Sequence, residues 1–500
     1  MTRAGDLSGP ERAGRAQALA VAGDLIGAIS LLQAAPADQV AGHRTMLAQL
    51  LVAADRHDEA LAVHIAHAEA RPDVAVRHHN VAARLGDMGR VVEAEAAVHR
   101  VFSLGGDAPE TWLVLARALQ GQDRYDEAEV AFREVLARRP DSLDALVDLS
   151  QLIWMRTGDG DKARAPLDAA IDAFPDRADL HIVRARLNKF AGVAPQQIHH
   201  DLTSAPIAAT GALELAAAHA ALSFDLDRAL KHARAAIARA PADPAAIQQL
   251  VEIHLARDEP AAALALLQPI LEQRPTDQQA LALRNTAWRL AGDPRALGPD
   301  DYPAVIAGYQ IDTPQGWDTL EAYLADLAAA LSGLHGLTTH PVGQSLRHGT
   351  QTSANLRHSD DLVIRAFFTA IDGPVRRHMA MLGQGSDPLR SRNTGDYRIA
   401  GCWSVRLHPG GYHTPHFHSK GWLSSACHIV LPSVVETEGK EGWLAFGAPA
   451  FEGVRPLPPE HYEKPSPGRL VLFPSYMWHG TVPFSGTEPR LTIAFDVVPA

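Results

Sequence analysis

Two hydrophobic rhythms divide the chain. From residue 13 to about 290, apolar side chains return every three or four positions in short segments punctuated by Gly, Asp and Pro. That is the period of a helix with one buried face, so this half is predicted all-α. From Tyr397 onward the period shortens: residues 397–407, 426–431, 442–446, 469–473 and 490–497 are apolar or alternating runs set between Gly and Pro turns. Such runs predict short strands. Between the two lies a turn-rich stretch at 292–303, followed by helical patterns near 316–333 and 358–383. The first of these carries Leu320, Tyr323, Leu324, Leu327 and Leu331 on one face. The change of rhythm near residue 291 predicts two domains, 13–290 and 300–500, joined by a linker with few contacts.

The helical half also repeats. Ala28, Ala60, Ala94, Ala128 and Ala163 follow one another at spacings of 32 to 35, and the phase returns at Ala229 and Ala262. Pro36, Pro72, Pro140, Pro175, Pro241 and Pro275 close many of the units. The clearest unit, residues 109–142, places Trp112, Leu115, Ala116, Tyr125, Ala128, Phe132 and Pro140 as a tetratricopeptide repeat does. Two helices pack through small residues there, and a proline ends the second. A fixed period over so many units sets this apart from a generic alanine-rich bundle. Residues 176–220 fit the period poorly, which leaves an atypical repeat or an insertion open.

Five hundred residues exceed one ordinary core, in agreement with more than one domain. Against 58 acidic residues stand 46 Lys and Arg, a formal charge of −12, so no basic excess exists to neutralise phosphates and nucleic acid is excluded as the main partner. No apolar run approaches the roughly 18 residues that span a bilayer. Cys402 and Cys427 are too few for a disulfide framework and fit a reducing compartment. Asp6, Glu11 and Arg12 precede any apolar run, unlike a signal peptide. These features predict a soluble, cytoplasmic protein without a membrane partner.

The candidate chemistry is near the C-terminus. His416 and His418 stand two apart in a segment that reads as a strand, so both imidazoles leave one face. His413, three positions before His416, falls on the opposite face and is a weaker candidate. His479 follows the strand and turn of 469–478 and returns toward the same place if the strands close into a barrel. Three imidazoles on one side of a small barrel make a metal site with open positions, which means chemistry and not a structural plug. Arg490, eleven residues further on, is placed to clamp a carboxylate with both arms of its fork. Trp403, Trp422, Trp443 and Trp478 read as core or cavity wall.

This C-terminal part resembles the Fe(II)- and 2-oxoglutarate-dependent dioxygenases, in particular oxygenases that carry tetratricopeptide repeats ahead of the barrel. The resemblance rests on residues 344–352, 403–407, 416–425, 473–479 and 490–492, and covers about 300–500. It implies a multi-domain α plus β protein: an N-terminal all-α tetratricopeptide-repeat superhelix, then a double-stranded β-helix (jelly roll) with supporting helices. It also implies Fe(II) as metal and 2-oxoglutarate as co-substrate, and no catalytic side chain beyond the metal ligands. Carried over by motif, His416 is the first ligand, His479 the distal ligand, and Arg490 with Thr492 the co-substrate anchor. The superfamily's acidic ligand position holds His418 instead. A neutral imidazole there leaves the centre one unit more positive, and three imidazoles also suit Zn, Ni or Cu.

The expected function is a dioxygenase, a hydroxylase whose repeats recruit a polypeptide substrate or partner protein. The carboxylate-to-histidine change keeps an alternative open, a repeat scaffold whose barrel only binds metal or ligand. A three-histidine dioxygenase that needs no 2-oxoglutarate is a third reading, opposed by Arg490 and Thr492.

Overall fold

A computed structural model describes residues 7–35, 37–451, 453 and 455–500, with the backbone alone for 37–42; Asp6 and Pro36 lie outside the described residues. The chain forms two compact units, one ending at Leu149 and one running from Ser150 to Ala500.

The first unit is helical throughout, and one rule builds it. The second helices of successive repeats, Leu25–Gln33, His57–Glu69, Val91–Ser103 and Tyr125–Arg138, each carry alanine as their fourth residue. Ala28, Ala60, Ala94 and Ala128 are fully buried, because at that turn the neighbouring helix leaves no room for a larger side chain. Two residues before each of these helices the backbone is left-handed, at Gly23, Asp55, Gly89 and Asp123. Only Gly, or an Asp that bonds locally, takes that conformation cheaply, which explains the Gly and Asp punctuation of the sequence.

The second unit opens with the same device. Gly160–Ala173, Leu226–Arg239 and Pro260–Gln273 bury Ala163, Ala229 and Ala263 at their fourth positions. The phase therefore returns at Ala263 and not at Ala262, because the last helix starts at Pro260. The irregular stretch 176–220 is an atypical repeat and no insertion. Ala178–Phe190 pairs with the shortened helix Pro195–Ser204, whose fourth residue is the buried Ile198 where its neighbours have alanine.

After Ala291 the described residues form nine strands: β1 (Ala307–Gln310), β2 (Leu346–Gln351), β3 (Tyr397–His413), β4 (Leu423–Val430), β5 (Leu444–Phe446), β6 (His461–Glu463), β7 (Arg469–Pro474), β8 (His479–Thr481) and β9 (Arg490–Pro499). They form two antiparallel sheets, a six-stranded one ordered β1-β7-β4-β9-β3-β2 and a three-stranded one ordered β6-β5-β8. The helices Leu320–Ser332 and Leu362–Leu382 share the core of the large sheet, contributing Tyr323, Leu327, Phe367 and Ile371 against Trp422, Phe473 and Phe495. The strand β4 is buried on both faces, which is why its sequence reads as a continuous apolar and small-residue run.

The linker 292–303 is tied down and not loose. Leu297 donates its N–H to Asn285 Oδ1, and Arg289 pairs with Glu460 at 3.0 Å. Trp478 joins Leu255, Leu283 and Leu290 of the repeat helices in one apolar cluster, and its indole N–H donates to Thr286 Oγ1 at 3.0 Å. Trp154 of the helix Leu143–Thr157 donates to the His340 carbonyl at 2.8 Å. The change of rhythm near 291 thus marks a change of secondary structure within a packed unit. Among the described residues no helix is long and apolar enough to cross a membrane.

Candidate metal centre

Backbone pairing brings the histidines together. His416 and His479 form an isolated antiparallel bridge, each N–H donating to the other's carbonyl at 2.9 Å. Gly480 makes this possible, since a Cβ there would lie 2.8 Å from the His413 carbonyl oxygen. His418 is not in a strand; its N–H is held by the Ser475 carbonyl at 2.8 Å. The strand β3 stops at His413, so the alternation expected to carry from 413 to 418 is broken by Thr414-Pro415. One nitrogen from each of His416, His418 and His479 lies within 4.8 Å of the others. The ring centroids are 4.1 Å apart for His416 and His479, and 5.2 Å from each of these to His418.

The tautomers are fixed by what stands behind each ring. His416 Nδ1 lies 2.9 Å from the Thr414 carbonyl, His479 Nδ1 2.9 Å from the Met477 carbonyl, and His418 Nδ1 2.6 Å from Asp496 Oδ1. These oxygens only accept, so each Nδ1 carries a proton, and in the neutral ring it is Nε2 that offers the lone pair. Three converging imidazoles oriented through the opposite nitrogen are how proteins hold metal-binding histidines. Burial keeps His416 neutral, down to about 3, with His418 adding repulsion, and holds His479 well below the usual histidine range for the same reasons. Neutral imidazole is the form a metal needs. Asp496 Oδ1 also accepts from Ser424 Oγ at 2.7 Å, which holds the carboxylate in place.

His413 stands closer than the strand reading expects. Its ring stacks on His416 with centroids 5.7 Å apart, and Ser345 Oγ lies 2.9 Å from His413 Nδ1 and 3.3 Å from His416 Nε2. The end of β3 and the turn that follows bring it to the same side.

Arg490 lies on β9 and is 2 % exposed. It donates to Thr481 Oγ1 at 3.1 Å and to His428 Nδ1 at 3.3 Å, while its Nε is buried with no hydrogen-bond partner. Among the described residues no carboxylate pairs with it, and burial pushes its pKa down to about 10. An uncompensated buried guanidinium costs several kcal/mol unless an anion meets it. Thr492, Ala494 and Asp496 follow at even spacing, and all four residues line one cavity of about 660 Å³ that also holds the three histidines. Trp403 and Phe473 line it too. Trp422 is instead buried in the core, and Trp478 packs on the repeat helices.

Asp496 is the functional neighbour that the motif reading missed. The signal was present: it stands six residues after Arg490 on one strand, an even offset that puts both on the same face. Lys189 and Phe190, also on the cavity lining, carried no such signal, because only the packed unit brings their helix there.

Residues 401–496 match the family described as Putative 2OG-Fe(II) oxygenase. Residues 119–187 and 220–286 match the tetratricopeptide repeat. One chain thus carries tetratricopeptide repeats and, in its C-terminal part, a segment that matches that oxygenase family. Among solved structures it is similar to a tetratricopeptide repeat protein of Parabacteroides merdae, at 17 % identity over 49 % of this chain and 98 % of that one, with a TM-score of 0.34. It is also similar to a thermophilic tetratricopeptide protein of Thermus thermophilus, at 23 % identity over 36 % of this chain and 100 % of that one, with a TM-score of 0.28. A comparison with curated proteins finds no match.

Proposed function

We propose that this protein is an Fe(II)- and 2-oxoglutarate-dependent dioxygenase, a hydroxylase acting on a polypeptide that its repeats help to hold. The two antiparallel sheets are read as the double-stranded β-helix of that class. The observation that carries the proposal is the triplet of converging imidazoles, set beside a buried guanidinium with which, among the described residues, no carboxylate pairs. His416, His418 and His479 would hold the metal, and Arg490 with Thr492 would take the far carboxylate of 2-oxoglutarate. Once bound, Fe(II) would supply the electron chemistry by which O2 oxidises both co-substrate and substrate.

The chain's own part is binding, orientation and exclusion of water. Thr414, Met477 and Asp496 keep the Nδ1 protons in place, so the lone pairs stay aimed at one point. Asp496 returns some of the negative charge that His418 withholds, at one hydrogen bond's remove. Arg490 offers two donors to one carboxylate, which sets direction as well as affinity. The apolar walls Phe473 and Leu444 keep the cavity dry where the charges meet.

Purified protein supplied with Fe(II), 2-oxoglutarate and O2 should release succinate, and His479→Ala should abolish that release. Tight metal binding with no succinate, with or without captured polypeptides, would replace the proposal by a non-catalytic scaffold.

A further inference from the structure

The charge on the cavity lining does not balance. Its ionic side chains are Lys189, Arg347, Lys420, Arg490 and Asp496, four cations against one carboxylate, in a chain whose formal charge is −12. Under the proposed function a divalent metal and a dicarboxylate cancel each other, and Arg490 and Asp496 cancel likewise. Lys189, Arg347 and Lys420 remain, and among the described residues no carboxylate forms an ion pair with any of them, unlike most arginines of the repeats.

Lys189 is not a stray surface lysine. Lys189, His219 and Gln249 stand thirty residues apart on the first helices of three successive repeats, Ala178–Phe190, Gly211–Ala221 and Pro244–Ala256. They make one hydrogen-bonded ladder. Lys189 Nζ donates to His219 Nε2 at 2.6 Å, and His219 Nδ1 donates to Gln249 Oε1 at 3.1 Å. The ladder ends on a donor to spare, since Gln249 is 6 % exposed and its Nε2 meets no partner among the described residues. Burial and the adjacent lysine hold His219 below the usual histidine range, which leaves Nε2 free to accept from the ammonium. Glu252, the acid facing Lys189, is pushed up to about 7 by burial and compensates it poorly. Arg347 lies over the Phe190 ring at 4.9 Å and spends one amino group on the Gln344 and Leu346 carbonyls, so the rest of its fork is available.

We infer that Lys189, Arg347 and Lys420 form a substrate subsite at the mouth of the metal cavity, and that the polypeptide it takes is acidic, carrying Asp or Glu beside the residue to be modified. The inference rests on the oxygenase reading for the word substrate only, because the charge and the ladder stand without it. It makes the repeats part of the site itself: the helix Ala178–Phe190 supplies a recognition residue to the cavity that holds the histidines.

Binding of fluorescein-labelled hexaglutamate and hexalysine to the full-length protein, read by fluorescence anisotropy at low salt, tests this directly. Hexaglutamate should bind and hexalysine should not. Lys189→Gln combined with Lys420→Gln, both at exposed positions, should weaken hexaglutamate at least about threefold, given that exposed ion pairs each contribute up to ~1 kcal/mol. Lys231→Gln, the same charge change on a distant exposed helix face, should not weaken it. Equal binding of the two peptides, or undiminished hexaglutamate binding by the double variant, overturns the subsite, as does an oligothymidylate that binds more tightly than hexaglutamate. The two readings separate cleanly. Lysine-dependent hexaglutamate binding by a protein that never makes succinate would sink the oxygenase and leave the subsite. Succinate formation without preference for the acidic peptide would do the reverse.

Discussion

At the scale of single residues, the site depends on which nitrogen and which charge each side chain presents. Replacing His416, His418 or His479 by Ala removes one of three proposed ligands and should cost most of the metal affinity, while His413→Ala should leave metal content near wild type. Asp496→Asn keeps the shape and the hydrogen-bond acceptor but removes the charge behind His418. Loss of such a supporting partner lowers metal affinity roughly 10- to 100-fold, so titration with Co(II) should show a shift of that size; an unchanged affinity would mean that Asp496 supports nothing. Arg490→Ala should raise the dissociation constant for 2-oxoglutarate about 30-fold or more, from the roughly 2–5 kcal/mol at stake in a buried, doubly bonded carboxylate. Metal content should stay the same in that variant. Arg490→Lys should fall between, since a point charge cannot reproduce the fork.

At the scale of elements, His479 meets His416 because β8 lies almost on top of the turn after β3. Gly480→Val would place a Cβ 2.8 Å from the His413 carbonyl oxygen, and β8 would have to move away. The expected outcome is loss of metal binding with the protein still folded by circular dichroism; a variant that binds metal normally would show that the approach is not needed. The same short element shows what sequence can reveal. The long strands β3, β7 and β9 and the helix Leu362–Leu382 were legible, because each carries a full period of apolar residues. The short β1, β6 and β8 were not, since no period can be read over three or four positions, whereas the equally short β5 was marked by the Gly442 turn ahead of its apolar run. His416, His418, His479, Arg490 and Thr492 were named from their spacing and motif, and the structure gathers them in one cavity. The side on which His413 falls was misread because alternation was carried through Pro415, where no strand continues. The repeat helices showed their period plainly, yet their docking on the β sheets leaves no periodic trace.

At the scale of the whole molecule, two compact units predict two calorimetric transitions. The proposed metal would bind only the unit that contains the histidines, so Co(II) should raise one transition and leave the other in place; at a hundredfold excess over Kd the gain is about 2.7 kcal/mol. A single transition that moves as a whole would show the two units to be one cooperative block. Acid should destabilise the protein as well. Burial holds His335, His340 and His378 down at about 4 in the fold, against 6.5 when unperturbed. The unfolded chain therefore binds more protons between these values, and stability falls as pH drops from about 6.5 toward 4. Fully buried His378, whose Nε2 has no partner, contributes at most roughly 3 kcal/mol to this. His378→Phe should flatten the pH dependence of the urea midpoint in that window; an unchanged slope would mean that His378 is not a source of it.

The bond from Trp478 to Thr286 has a historical consequence. The strand that opens with His479, a proposed metal ligand, begins beside an indole seated on the helix Gln278–Ala291, and strand and helix are expected to be inherited together. Repeats ahead of Ser150 belong to the other compact unit and supply no residue to the lining of the cavity that holds the histidines. The helices that follow travel with the sheets as one heritable piece, and recombination near residue 291 would break it.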